Sequence, residues 1–215
     1  MQMLADPLLM AVILLNFVAL ANSRLTAVVH AVGWQGVLLG LLPLCLPSQH
    51  GMTALGLGTA LGAVALKGLL IPKMLDRAVE KSHETRELAP ILGFVPALVV
   101  LALCTGLVLL YAETLPLAEA HAGLLVVPAS LAEVVTGFLL LTTRRLAVSH
   151  VVGILLLENG VYTFGLLLLQ AMPFIVEIGV MLDVFVATFT MGIVIKHIDT
   201  EVATTDSAQL SRLKE

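Results

Sequence analysis

Long apolar runs separated by short polar breaks set the pattern of this chain. Runs near 6–23, 27–46, 52–75, 89–112, 121–142, 146–170 and 174–197 each come close to the roughly 20 apolar residues that a helix needs to cross a bilayer. They are continuous rather than alternating, which excludes the spans of a transmembrane β-barrel. The pattern predicts an all-α integral membrane protein with about seven transmembrane helices. Most connections are only a few residues long, so helices adjacent in sequence pack antiparallel. The exception is 76–88, "DRAVEKSHETREL", expected to be a polar loop. Gly36 and Gly40, like Gly58 and Gly62, recur at the spacing that brings helices close, for which ordinary bundle packing is a sufficient reason.

The basic residues then orient the spans. Arg24 lies in the first connection, and Lys73, Arg77, Lys81 and Arg86 cluster around the third. Arg144 and Arg145 form a basic pair in the fifth, and Lys196, Arg212 and Lys214 follow the last span. The second, fourth and sixth connections hold no Lys or Arg. With Lys67 set aside, all positive charge falls on one side, which the positive-inside rule makes cytoplasmic. The N-terminus is therefore expected outside and the C-terminus inside. The start, "MQMLADPLLM", lacks the basic region of a signal peptide, so the first run is read as a retained span. In the polar tail, 198–215, Asp206 or Ser207 is able to cap a short amphipathic helix; the tail either docks on a cytoplasmic partner or is a solvated end.

Composition agrees with the pattern. Of the 215 residues 59% are hydrophobic and 12% charged, against about 25% charged in a soluble domain. Cys45 and Cys104 stand alone in separate apolar runs and read as small buried hydrophobes. No Cys pair or Cys/His cluster has the spacing of a metal or iron–sulfur site, so no metal ligand and no catalytic residue is expected in this chain. The partner the composition implies is the lipid bilayer, not nucleic acid.

Against this background four ionisable residues stand out. Lys67, Glu133, Glu158 and Asp183 each lie near the middle of a different predicted helix. Glu177 sits nearer the outer end of the last span, and His30 and His150 lie at the cytoplasmic ends of theirs. A charge at the bilayer centre costs at least ~2.5 kcal/mol, and such groups normally face the bundle interior and mark ion or proton pathways. One alone reads equally as a tie between helices; four at similar depth point to a path. Low dielectric disfavours the charged form of carboxylates and amines alike, whereas a neighbouring Lys+ favours an ionised carboxylate. Moving one charge thus changes its neighbour's proton affinity, as a relay requires. Sodium is the other candidate ion, but Glu158, Asn159 and Thr163 offer it only a sparse oxygen set. Lys67 is about 12 Å from the end of its span, beyond comfortable snorkelling reach. Tyr162, four residues after Glu158, shares its helix face, and its phenol is expected to hydrogen-bond the carboxyl group. His150, about 12 Å before Glu158 along the axis, either feeds protons inward or, more simply, is an interfacial histidine.

The stretches "KGLLIPKML", "LLLENG", "VEIGVMLDVF" and "LSRLKE" resemble the E subunit of hydrogenase-4-type membrane complexes, over essentially the whole length of the chain. The last third, "RRLAVSHVVGILLLENG" with "VEIGVMLDV" and "MGIVI", is similar to the K-type subunit of respiratory complex I and the C-type subunit of Mrp antiporters. In those subunits a basic pair leads into a helix with a Gly, an intramembrane Glu and an Asn, and the next helix carries a second acid. Arg144 and Arg145 match the pair, Gly153 the glycine, Asn159 the asparagine and Asp183 the second acid. Counted from Gly153 and Asn159, the glutamate falls at Leu155; Glu158, three residues on and on roughly the same face, takes the role by geometry. The resemblance divides the chain into a five-helix region (1–142), a two-helix segment with the intramembrane acids (143–197) and the tail (198–215).

What the resemblance implies is a non-redox membrane-arm subunit of a hydrogenase-4 or complex I-like energy-converting complex. Glu158, Asp183, Lys67 and Glu133 would carry a proton or Na+ path, with Glu177, His150, Tyr162 and Asn159 in secondary roles. The partners implied are antiporter-like membrane subunits, an H-subunit-like membrane anchor and a cytoplasmic redox module holding the NiFe and iron–sulfur centres. The chain itself would hold no cofactor and no redox centre, and would sit in a prokaryotic cytoplasmic (inner) membrane. Two alternatives remain: a structural adaptor joining antiporter-like subunits to the enzyme module, and a stand-alone ion-coupled transporter, for which the chain shows no clear internal repeat. A retinal photoreceptor fits poorly, because Lys196 lies at the end of its helix rather than mid-span.

Overall fold

A computed structural model of the protein describes residues 2–45, 54–81, 86, 90–112, 114 and 125–166. These residues are helical almost throughout: α1 (Gln2–Ala21), α2 (Leu25–Cys45), α3 (Ala54–Ala63), a π-helical segment (Val64–Leu70), α4 (Ile71–Lys81), α5 (Phe94–Ala112), α6 (Val126–Thr143) and α7 (Ala147–Gly165). The segments from α3 to α4 follow one another without a break. No strand occurs among the described residues, only an isolated antiparallel bridge between Arg24 and Arg86. Five helices, α1, α2, α5, α6 and α7, are long and apolar enough to cross a membrane, so the protein is a multi-pass, all-α membrane protein. The seventh predicted span, 174–197, lies outside the described residues, as do Glu177 and Asp183.

Two predicted boundaries are corrected. The expected loop at 76–88 begins as helix, since α4 runs on to Lys81. Its hydropathy is low but its pattern is amphipathic: Leu75, Ala78 and Val79 are buried while Lys73, Arg77 and Glu80 are exposed. The fourth span starts at Phe94 rather than 89, with Pro96 in its first turn, where a missing N–H costs nothing.

Lipid tails are as apolar as leucine, so helices in a bilayer associate through close backbone packing rather than hydrophobic burial. Two glycine-lined contacts provide it. A Cβ on Gly36 would lie 2.7 Å from the Lys67 carbonyl carbon, and one on Gly40 2.5 Å from Val64 Cγ2, so α2 sits directly on the π-helical segment. A Cβ on Gly137 would lie 2.7 Å from the Gly153 carbonyl oxygen, which fixes α6 against α7. Gly58 and Gly62, expected to serve in the same way, meet nothing within 4 Å among the described residues.

Each end of the bundle has its own ties. At the basic end the Arg144 guanidinium donates from Nη2 to the Leu20 carbonyl at 2.6 Å and stacks 4.1 Å over the Phe94 ring. There too the Ile91 N–H donates to the Thr143 carbonyl at 2.7 Å. At the opposite end the Asp6 carboxylate accepts the Leu125 N–H at 3.2 Å, placing negative charge at the N-terminus of α6. The apolar core is correspondingly divided. One layer, with Leu20, Val32, Leu75, Leu101, Leu140 and Leu156, lies toward the basic end, and a second, with Leu9, Val12, Leu39, Leu42, Ala129 and Leu166, toward the other. Glu158, between Leu156 of one layer and Leu166 of the other along α7, lies between them with its partner Lys67.

Candidate functional site

The local backbone around Lys67 has an identifiable cause. Pro72 carries no N–H, and its ring presses on the carbonyl four residues back in a regular α-helix. The chain widens over the preceding turn instead: the Ile71 N–H donates to the Leu66 carbonyl, five residues away. Lys67 sits in the middle of this π-helical turn and is buried there, with α2 lying against its backbone through Gly36.

Lys67 meets α7. Its Nζ is 2.8 Å from Glu158 Oε1, with side chains 5% and 4% exposed. That contact is an ion pair, while Nζ donates to Asn159 Oδ1 at 3.3 Å. The same ammonium lies 4.8 Å from the centre of the Tyr162 ring. One α-turn separates Glu158 from Tyr162, so the two flank the cation, one with charge and one with a π face. The expected Tyr162–Glu158 hydrogen bond is not formed; the cation draws the ring instead.

Glu133 joins from α6. Its Oε2 accepts the Thr163 hydroxyl at 2.8 Å, and the same hydroxyl lies 2.8 Å from the Asn159 carbonyl. A hydroxyl has one proton, so these acceptors share it or take turns. Glu133 Oε1 is buried with no hydrogen-bond partner among the described residues. A continuous polar sequence therefore runs from Glu158 through Lys67, Asn159 and Thr163 to Glu133, across three helical elements and a little more than one turn of α7. Each member is a group that holds or passes a proton, or turns its dipole toward a moving charge.

Of the residues singled out in the sequence, Lys67, Glu133, Glu158, Asn159 and Tyr162 thus come together. His150 stays apart: its Nδ1 is 2.9 Å from the Leu146 carbonyl, one turn back toward the basic end, as suits an interfacial histidine. The basic pair divides, Arg144 buried and Arg145 exposed. Two buried polar side chains and one ion pair were not foreseen. Asn16 and Gln35 are fully buried and both donate to the Val12 carbonyl, at 3.1 and 3.2 Å. His30 Nε2 meets Asp76 Oδ2 at 3.2 Å across α2 and α4. A lone polar residue in an apolar run was the available signal for Asn16 and Gln35. Among the described residues no group of His, Cys, Asp and Glu side chains is placed to hold a metal ion.

No family model matches the chain, and no solved structure matches it. The sequence is 32% identical over 195 residues to "Uncharacterized protein Rv0085" of Mycobacterium tuberculosis, a match spanning 89% of this chain and 87% of the relative.

Proposed function

We propose that this chain, which belongs to the family of Rv0085, is a non-redox subunit in the membrane arm of a hydrogenase-4 or complex I-like energy-converting complex, carrying part of a proton or Na+ path. The observation that carries the reading is the Lys67–Glu158 pair, buried at mid-bundle and linked through Asn159 and Thr163 to Glu133. Removing two charges from water costs several kcal/mol per ion before their attraction offsets it. Within a membrane such residues characteristically belong to ion pathways. The proposal includes seven spans in a prokaryotic inner membrane, the N-terminus outside, and Asp183 of the last span extending the path. Antiporter-like subunits, a membrane anchor and a cytoplasmic redox module are its partners.

One observation favours a second reading. The ammonium and carboxylate are already paired at 2.8 Å, as in a tie that joins helices in a structural adaptor. Glu158→Gln separates the two. A relay must change protonation, so Gln abolishes translocation in inverted vesicles while Asp retains part of it. A tie needs only polar contact, and an amide supplies that, so Gln then works as well as Glu. Purification through a tag in mild detergent tests the partnership: co-purifying antiporter-like and redox subunits are expected, and a solitary species overturns it.

A further inference from the structure

A cavity of about 10 Å³ lies beside the Lys67–Asn159 pair, lined by Val29 and Val32 of α2, Ile71, Pro72 and Leu75 of α4, and Leu155 of α7. Roughly 10–15 Å³ holds one water, which needs polar partners to stay. Lys67 and Asn159, the polar groups in this lining, provide them. The direction of the cavity is informative. Every apolar residue of its wall lies on the basic-end side of Lys67 and Asn159. Along the 54–81 helix the lining extends from Lys67 to Leu75, about 12 Å of axis at 1.5 Å per residue. Asp76 follows Leu75 toward the basic end of this wall, and His30, between Val29 and Val32 along α2, meets it at 3.2 Å, although neither lines the cavity itself. The imidazole is 65% exposed, whereas Asp76 Oδ1 is buried without a hydrogen-bond partner among the described residues.

We infer that the cleft between α2, α4 and α7 is a route by which water, and with it protons, reaches Lys67 and Asn159 from the basic end of the bundle, with His30 and Asp76 at its mouth. This rests on the proposed ion path for its purpose but not for its existence. The mouth bears groups that exchange protons with bulk water, the wall is apolar, and the inner end is the cationic member of the polar sequence. An apolar wall around a one-water space admits water intermittently rather than as a standing column, which limits leakage through an unloaded path.

Thiol reactivity tests the route without reference to activity, because the reacting species is the thiolate, which forms in water and not in lipid. Cys45 and Cys104 are replaced by Ala, and single cysteines are introduced at Val32, Leu75 or Leu155 in the wall, at exposed Glu80 as a positive control, and at Leu69, an apolar position exposed among the described residues. A small cationic methanethiosulfonate is applied to the cytoplasmic face of inverted vesicles. The wall cysteines are expected to react about tenfold or more faster than Leu69→Cys. His30→Ala, which removes the ring at the mouth, is expected to accelerate Val32→Cys further. Wall cysteines as inert as Leu69→Cys, with Glu80→Cys reacting normally, overturn the route, and an unchanged rate in His30→Ala removes the pair from its mouth. Reactive wall cysteines combined with normal translocation in Lys67→Met leave the water route standing and sink the ion path instead.

Discussion

Removing the Lys67–Glu158 pair from each side separately, and then from both, isolates what the two charges do for the fold and for function. The groups are 2.8 Å apart and almost wholly enclosed. Deleting one partner strands the other in low dielectric, at a cost of about 3–5 kcal/mol. Deleting both removes the desolvation cost together with the attraction, and apolar substitutes of similar volume leave stability close to unchanged. Lys67→Met and Glu158→Leu should therefore each lower unfolding stability by about 3–5 kcal/mol, the latter toward the lower figure because Asn159 and the Tyr162 ring still face the ammonium. The double variant should lie within about 2 kcal/mol of wild type, a coupling of about 4 kcal/mol or more between the two sites. Denaturant unfolding in detergent micelles reads the stabilities, and dye-monitored acidification of inverted vesicles reads translocation. Additive losses, with the double variant the least stable, would refute the pairing. A double variant that folds like wild type and translocates at the wild-type rate would refute the ion path.

Three further outcomes are expected. Gly36→Ala drives a Cβ to 2.7 Å from the Lys67 backbone and should cost about 1–3 kcal/mol in thermal unfolding, whereas Gly58→Ala, with nothing within 4 Å among the described residues, should be neutral or gain up to ~1 kcal/mol. Arg144→Lys keeps the charge but loses the planar stack on Phe94 and the guanidinium geometry at the Leu20 carbonyl; a loss of about 1–2 kcal/mol, read by the same unfolding assay, is expected. Cysteines at Glu80 and at Thr114 should react with an impermeant thiol reagent from opposite faces of the membrane, Glu80→Cys from the cytoplasm. Labelling of both from one face would overturn the orientation.

Amphipathic α4 shows where a reading by hydropathy stops. Its summed hydropathy is that of a loop, yet its alternation of buried and exposed positions extends the helix to Lys81. The glycine pairs show a related limit. Spacing alone does not distinguish Gly36 and Gly40, which receive the backbone of a neighbouring helix, from Gly58 and Gly62, which meet nothing among the described residues. Spacing describes one helix, whereas contact needs two.

Sequence by itself determined the quantities that add up along a chain: apolar length sufficient to cross a bilayer, the segregation of arginine and lysine into alternate connections, and the depth of Lys67, Glu133 and Glu158. Each is a sum or a position, and neither needs to know which way a helix faces. Tertiary structure decided which groups meet. Lys67 turns toward α7 from a π-helical turn set by Pro72, held against α2 by the glycine at 36, and Glu158 meets it rather than the phenol of Tyr162. Glu133 takes its proton donor from Thr163 of α7, and Arg144, which looks in sequence like a solvated interfacial charge, is drawn under Phe94 by the orphan carbonyl of Leu20. These pairings depend on the rotation of each helix about its axis. One residue more or less in a turn swings a side chain through about 100°, so the facing of helices is decided only when their backbones close on one another.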